Sequence, residues 1–195
     1  MVARSKHCRA SGFSLVELLI VAAILMCIAA LSLPTMWNVI ASSRSRSAMS
    51  DISGFVQDTR SNAVKHNRMK TVHFTETSGR IWATSGNTIG PEDAKPDVTL
   101  VLPPGMVIVD SPSGDGAPTP LDAEAMWGGG TEPVTTEASF NPRGIPCSYS
   151  VDTKKCSSVG GFVYYFSLNG HWSAIGISPA GRIRAFYWNG TDWGK

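Results

Sequence analysis

Glu17 is a carboxylate set four residues after a Gly12-Phe13 junction, inside a run that is otherwise almost wholly apolar. From Phe13 to Leu33 the only other polar side chains are Ser14 and Ser32. A helix over that segment would rise about 31 Å, which matches a hydrocarbon layer of roughly 30 Å. A carboxylate at the centre of such a segment costs on the order of 2.5–3.5 kcal/mol, and less toward an end, so Glu17 calls for a partner. The residues ahead of it supply the next clue. Residues 1–12 carry Arg4, Lys6 and Arg9 and no acid, the charge pattern of a targeting leader that stays cytoplasmic. Gly12 has no side chain and leaves its peptide bond open to a protease at the membrane surface. Hydrolysis after Gly12 would discard the charged leader, keep the apolar helix and create a free amine on Phe13. The chemistry these residues suggest is one peptide cleavage, which would leave a free amine four residues before Glu17. An ordinary secretory signal would place its small-residue cleavage site after the apolar run, and a lipoprotein signal fails because Met26 before Cys27 is too large.

A second constellation is Gly181-Arg182-Ile183-Arg184. Residues two apart on a strand share a face, so Arg182 and Arg184 are expected to offer two planar guanidiniums beside a turn, able to contact successive phosphates. Arg143, Lys154 and Lys155 widen that patch if the fold brings them near. The plainer alternative is a pair of solubilising surface arginines. Cys147 and Cys156, with eight residues between them in a polar stretch, suit a disulfide in an oxidising compartment. A metal site is the rival reading, but no nearby His or second Cys pair supplies the remaining ligands. Cys8 and Cys27 fall in the leader and the apolar segment and are expected to have no disulfide partner. His66, His73 and His171 are scattered singly. There is no H-E-x-x-H, phosphate loop or nucleophile elbow, so the chain reads as a non-enzyme without metal or cofactor. Tyr187, Trp188 and Trp193 could stack on bases, but aromatics at strand spacing more commonly cover a core or a subunit contact.

Length and periodicity set the elements that must position these groups. A chain of 195 residues fits one modest domain plus an anchor. Loss of residues 1–12 would leave 14 basic residues (17 less three) against 15 acidic, so overall charge makes no case for nucleic acid or acidic lipid. Its distribution is uneven: nine acids and only Lys95 lie between Pro91 and Glu137, with basic excess on either flank. Four segments are expected: a cleaved leader at 1–12, a transmembrane and assembly helix at 13–34, an amphipathic helical continuation at 35–68, and a β-rich head at 69–195. Ala48, Ile52, Phe55, Val56, Thr59 and Ala63 recur at three- and four-residue steps, one stripe for packing on a sheet. The helix is expected to fray near His66-Asn67. Strands are expected at Lys70–Thr75, Arg80–Thr84, Val98–Leu102, Met106–Val109 and Thr135–Phe140, with Pro103-Pro104-Gly105 as a turn. Residues 110–135, rich in Gly, Pro, Ser and acid, read as a long and partly disordered surface loop. Asn169-Gly170 between Phe162–Leu168 and His171–Ile177 is a strong hairpin cue, and Arg182–Trp188 continues the meander. The fold class is α+β: a long N-terminal helix, transmembrane and then amphipathic, laid against an antiparallel β-rich head.

The N-terminal pattern Gly12-Phe13-Ser14-Leu15-Val16-Glu17-Leu18-Leu19, leading into an apolar run, resembles the class III signal of type IV pilins and type II secretion pseudopilins. The resemblance implies cleavage between Gly12 and Phe13 by a prepilin peptidase and N-methylation of Phe13. It also implies that Glu17 pairs with the terminal amine of a neighbouring subunit, and that Pro34 is the helix-bending proline common in such helices. Three further stretches resemble the GspH/FimT family of minor pilins: Asp58-Thr59-Arg60-Ser61-Asn62-Ala63-Val64-Lys65, Ser139-Phe140-Asn141-Pro142-Arg143-Gly144, and Ile177-Ser178-Pro179-Ala180-Gly181-Arg182-Ile183-Arg184. That resemblance implies a pilin-like fold, a bacterial inner-membrane location with a periplasmic head, and assembly into a pilus or pseudopilus. The implied partners are other pilin or pseudopilin subunits, the prepilin peptidase, the inner-membrane assembly platform and membrane lipid. In FimT-type proteins the G-R-x-R motif is associated with DNA capture, which sets extracellular DNA as an alternative partner beside a role in type II secretion.

Overall fold

The computed structural model describes residues 14–74, 79–85, 97–114, 116–150, 153 and 155–194, with backbone alone for 31–38. The chain divides into two units, residues 1–40 and 41–195. Helix α1 (Leu15–Lys65) gives its first part to one unit and the remainder to the other. In the first unit its apolar side chains stand exposed almost all round, Leu15 at 76% and Met26 at 73%. A helix apolar on every side has no core of its own and is built to be covered. Among the described residues no helix is long and apolar enough to cross a membrane. The expected span at 13–34 includes Phe13 and the side chains of 31–34, which lie outside the described residues, as does the leader at 1–12.

In the second unit the expected stripe forms. Ala48, Ile52, Val56, Thr59 and Ala63 are buried, Phe55 is half-buried, and Ser45 and Met49 extend the stripe. Thr59 Oγ1 donates to Phe55 O at 2.9 Å, so the buried hydroxyl is satisfied within its own helix. The helix closes just after Lys65. Asn67 takes a left-handed φ of 50°, and the N–H groups of Asn67 and Arg68 return to Val64 O and Ala63 O. That reciprocal closure is the Schellman geometry, and it stops the helix before Lys70 must enter a strand.

The head carries two antiparallel sheets. The first has the order β3-β2-β1-β5-β6-β7, from β1 (Lys70–Phe74), β2 (Arg80–Ser85), β3 (Val98–Val101), β5 (Ala138–Phe140), β6 (Pro146–Ser150) and β7 (Lys155–Ser157). The second has the order β11-β10-β9-β8-β4, from β4 (Met106–Val109), β8 (Phe162–Leu168), β9 (His171–Ile177), β10 (Ile183–Trp188) and β11 (Trp193–Gly194). The Asn169-Gly170 hairpin is present, with both residues at positive φ and Leu168 opposite His171. The Pro103-Pro104-Gly105 turn does not join partners. It hands the chain from β3 in the first sheet to β4 in the second.

The principal core lies between the α1 stripe, Val72, Ile81 and Phe140 of the first sheet, and one face of the second. That face presents Phe162, Tyr164, Phe166, Ile175 and Ile177. The alternate residues Val163, Tyr165, Ala174 and Phe186 form a second cluster with Leu121 and Met126 on the opposite face.

This second cluster corrects the reading of 110–135 as an open loop. The segment contains α2 (Ala123–Trp127), capped by Asp122, whose Oδ1 accepts from Ala125 N at 2.7 Å, and closed by Gly128 in the left-handed region. Tyr165 OH accepts from Leu121 N at 2.8 Å, and Trp193 Nε1 donates to Thr119 O at 2.8 Å. Gly176 makes room beneath it: a Cβ there would stand 2.2 Å from Met126 Cε. Two further differences concern strands. The strand expected over Thr135–Phe140 is shortened to β5, and β6 with β7 form an unexpected hairpin. Cys147 and Cys156 lie on that hairpin, 5.4 Å apart at Cα, and a disulfide joins them.

Candidate functional site

Two turns of the same sequence form meet at one side chain of α1. In Asn141-Pro142-Arg143-Gly144, Asn141 Oδ1 accepts from Arg143 N and Ile145 N, and Gly144 N donates to Asn141 O at 2.8 Å. In Ser178-Pro179-Ala180-Gly181, Ser178 Oγ accepts from Arg182 N at 3.0 Å, and Gly181 N donates to Ser178 O at 2.7 Å. Each turn ends on a glycine of positive φ, 73° at Gly144 and 79° at Gly181. Arg60 reaches both. Its Nε donates to Gly144 O at 2.8 Å, and its Nη2 stands 3.5 Å from Ala180 O. The fit is close, because a Cβ on Gly181 would lie 2.9 Å from Arg60 Cζ. The arginine fork thus ties the β5–β6 turn and the β9–β10 turn to the helix across 84 and 120 residues of sequence.

An open groove runs beside this clamp along α1. One lobe is lined by Gln57, Arg60, Gly181 and Arg182, among others, and the neighbouring lobe by Gln57, Arg60, Val64, Lys65 and Arg143. Among the described residues, none that lines either lobe is acidic. Arginine has five N–H donors, of which the two turn carbonyls engage two, and Arg60 lines both lobes of the groove.

The structure distributes the expected phosphate-contacting residues unequally. Arg182 is exposed in the turn before β10 and lines the groove. Arg184 is half-buried in β10, and its Nη1 donates to Met126 O at 2.9 Å, closing the end of α2. The expectation of two guanidiniums side by side on one strand is therefore corrected: β10 starts at Ile183, and the α2 carbonyl holds the second arginine. Arg143 belongs to the groove. Lys155 is exposed on β7, opposite Ser150 and so at the far end of β6 from the Arg143 turn. Lys154, Gly12 and Phe13 lie outside the described residues, and for Pro34 the backbone alone is described. Glu17 sits in the first turn of α1, where an acid complements the helix dipole. Cys27 is exposed and forms no disulfide. Sequence reasoning missed Arg60, Gln57 and Lys65 as site residues. The available signal was the repeated form Asn-Pro-Arg-Gly and Ser-Pro-Ala-Gly, two equal turns that needed a common support.

A family model for the prokaryotic N-terminal methylation motif matches residues 8–33, the segment that holds Gly12, Phe13 and Glu17. The N-terminus is of the prepilin type. Two crystal structures of the type IV minor pilin FimU of Pseudomonas aeruginosa (strain PAO1) are similar to it, at 14% and 15% identity. They cover 77% of this chain and 92% and 97% of their own, each with a TM-score of 0.44. No curated protein matches the chain. The chain thus combines an N-terminal methylation motif with a helix whose later part packs in the core of an antiparallel head.

Proposed function

We propose that this chain is a minor pilin or pseudopilin subunit, of the GspH/FimT kind, in a type II secretion or type IV pilus machine. The methylation motif at 8–33 carries the reading. In the proposed cycle a prepilin peptidase cuts between Gly12 and Phe13, and the new amine of Phe13 is methylated. The apolar part of α1 holds the subunit in the inner membrane with its head in the periplasm. On assembly that helix leaves lipid and packs among neighbouring helices. Glu17 then meets the amine of an adjacent subunit and fixes axial register. Burying such a pair adds little net stability, but stranding one partner is expensive, so the pair acts on specificity. The convergence of the three GspH/FimT-like stretches on the Arg60 clamp supports the finer family reading. Mass spectrometry of the native protein tests the cycle: it should begin at Phe13 and carry a methyl group. A native chain that still begins at Met1 would refute it.

A second reading, capture of extracellular DNA, draws on the exposure of Arg182 and its place on one groove with Arg143 and Arg60. It requires salt-sensitive binding of a DNA duplex. It also requires Arg182→Ala to weaken binding more than Arg184→Ala, since Arg184 is engaged by Met126 O.

A further inference from the structure

The turn between β10 and β11 reads Asn189-Gly190-Thr191, an asparagine two residues before a threonine with no proline between them. That triplet is the acceptor pattern for an N-linked glycan. No other asparagine of the chain stands two residues before Ser or Thr. The fold presents the triplet openly. Asn189, Gly190 and Thr191 are all exposed. Gly190 takes a φ of 100°, and a Cβ built on it would meet nothing within 4 Å, so the space beside the turn is open. Asn189 Oδ1 accepts from the backbone N–H groups of Thr191 and Asp192, each at 2.8 Å. This is an Asx turn, and its two donors identify the bound end of the side-chain amide as the oxygen. Asn189 Nδ2 and Thr191 Oγ1 have no hydrogen-bond partner among the described residues. Trp188 and Trp193 face one another across the two strands, with ring centroids 5.6 Å apart, and both are half-exposed.

We propose that Asn189 is an N-glycosylation site, and that its co-substrate is an oligosaccharide carried on a lipid diphosphate. In the transfer, Asn189 Nδ2 attacks the anomeric carbon of the first sugar. The bond from that carbon to the diphosphate oxygen breaks, and the lipid diphosphate leaves with the electron pair. One Nδ2 proton passes to a base of the transferase, so the step needs no oxidant or reductant. An amide nitrogen is a weak nucleophile, because its lone pair is shared with the carbonyl. The Asx turn prepares it: two N–H donors on Oδ1 favour the form in which charge gathers on that oxygen, so an Nδ2 proton is easier to remove. The unengaged hydroxyl of Thr191 is left for the transferase to hold. Once attached, the apolar C–H face of the first sugar can cover the exposed ring of Trp188, whose indole N–H has no partner among the described residues and can meet a sugar hydroxyl. Glycan transfer goes beyond the filament reading and rests on it only for export of the head.

The test is mass spectrometry of full-length protein purified from the cells that make it natively. Trypsin cuts after Arg184 and releases residues 185–195 as one peptide. Electron-transfer fragmentation keeps a glycan on its side chain and so locates it. The expected result is a series of sugar masses on that peptide, placed on Asn189. Thr191→Ala should abolish the glycan, and Thr191→Ser should retain it. Thr191→Ala keeps the backbone N–H that Asn189 Oδ1 accepts, so the turn survives and the loss reports the hydroxyl. Circular dichroism checks that both variants are folded. A peptide 185–195 that is bare, or only deamidated at Asn189, overturns the proposal, as does a glycan that persists on folded Thr191→Ala. The N-terminal peptide of the same sample separates this site from the filament reading. A methylated Phe13 start with a bare Asn189 overturns glycosylation alone, whereas a Met1 start with a glycan on Asn189 supports it and refutes the processing cycle.

Discussion

Replacing Arg60 by alanine removes the side chain whose hydrogen bonds tie both turns to α1. The bond from Nε to Gly144 O, at 2.8 Å, has a charged donor and a part-buried setting. Such bonds contribute about 1.5–3 kcal/mol. The approach of Nη2 to Ala180 O, at 3.5 Å and exposed, adds only about 0.5 kcal/mol. The expected loss is therefore about 2–3 kcal/mol, a drop in Tm of roughly 5–10 °C for a domain of this size. Arg60→Lys keeps the charge but has a single nitrogen on a flexible stem, so it should recover less than half of the loss. Gly181→Ala probes the same contact from the other side. It forces a left-handed φ on alanine and places a Cβ 2.9 Å from Arg60 Cζ. In the double variant Arg60→Ala with Gly181→Ala the steric part of that cost should vanish, leaving about 1 kcal/mol for the backbone. Thermal unfolding monitored by circular dichroism on the four proteins reads all of this. If Arg60→Ala melts within about 1 °C of wild type, or if Arg60→Lys is as stable as arginine, the clamp does not hold the turns and the reasoning fails.

Other changes should show their effects elsewhere in the head. Gly160→Ala places a Cβ 2.1 Å from the backbone oxygen of Thr131, which cannot swing away, and should cost about 3 kcal/mol or more, as a Tm loss near 10 °C. Burial pushes the Asp97 carboxyl up, but hydrogen bonds from Lys70 and Ser85 outweigh it and hold its pKa below the usual value. Its contribution is then present above the unfolded carboxylate pKa of about 3.9 and is lost as pH falls through the folded value, so Asp97→Asn should flatten part of the acid-unfolding profile. Burial drives the Tyr164 hydroxyl well above the ordinary tyrosine range, with the charge of Glu137 adding to it, while its O–H donates to Thr136 O at 2.6 Å. A raised folded pKa stabilises below the unfolded value of about 10 and fades as pH climbs toward the folded one. Stability should therefore decline above about pH 10, and Tyr164→Phe should lessen that decline while costing about 1 kcal/mol at neutral pH. Glu17→Ala should leave membrane insertion intact and abolish copurification with pilus or pseudopilus subunits; normal copurification would remove Glu17 from the assembly role.

Features fixed by short-range pattern were legible in the sequence. The stripe from Ala48 to Ala63, the helix end at His66-Asn67 and the Asn169-Gly170 hairpin each rest on residues within a few positions of one another. The methylation motif is likewise local, and it is matched over 8–33. The α2 segment escaped notice because five residues are too few to show a helical period, and its acidic, glycine-rich surroundings read as loop. What binds it is remote: Gly176 beneath Met126, Tyr165 OH on Leu121 N, and Arg184 on Met126 O.

The sequence by itself determined that this protein begins with a processing signal, continues as a long helix and ends in β-strands, because peptide chemistry and periodicity act along the chain. Only the tertiary structure decided that Arg60 joins two turns, that Arg182 lines a groove while Arg184 serves α2, and that α2 packs on the face of the second sheet opposite the α1 stripe. Those outcomes depend on which strands pair and which residues 84 or 120 positions apart come into contact, and no local pattern encodes a partner at that distance.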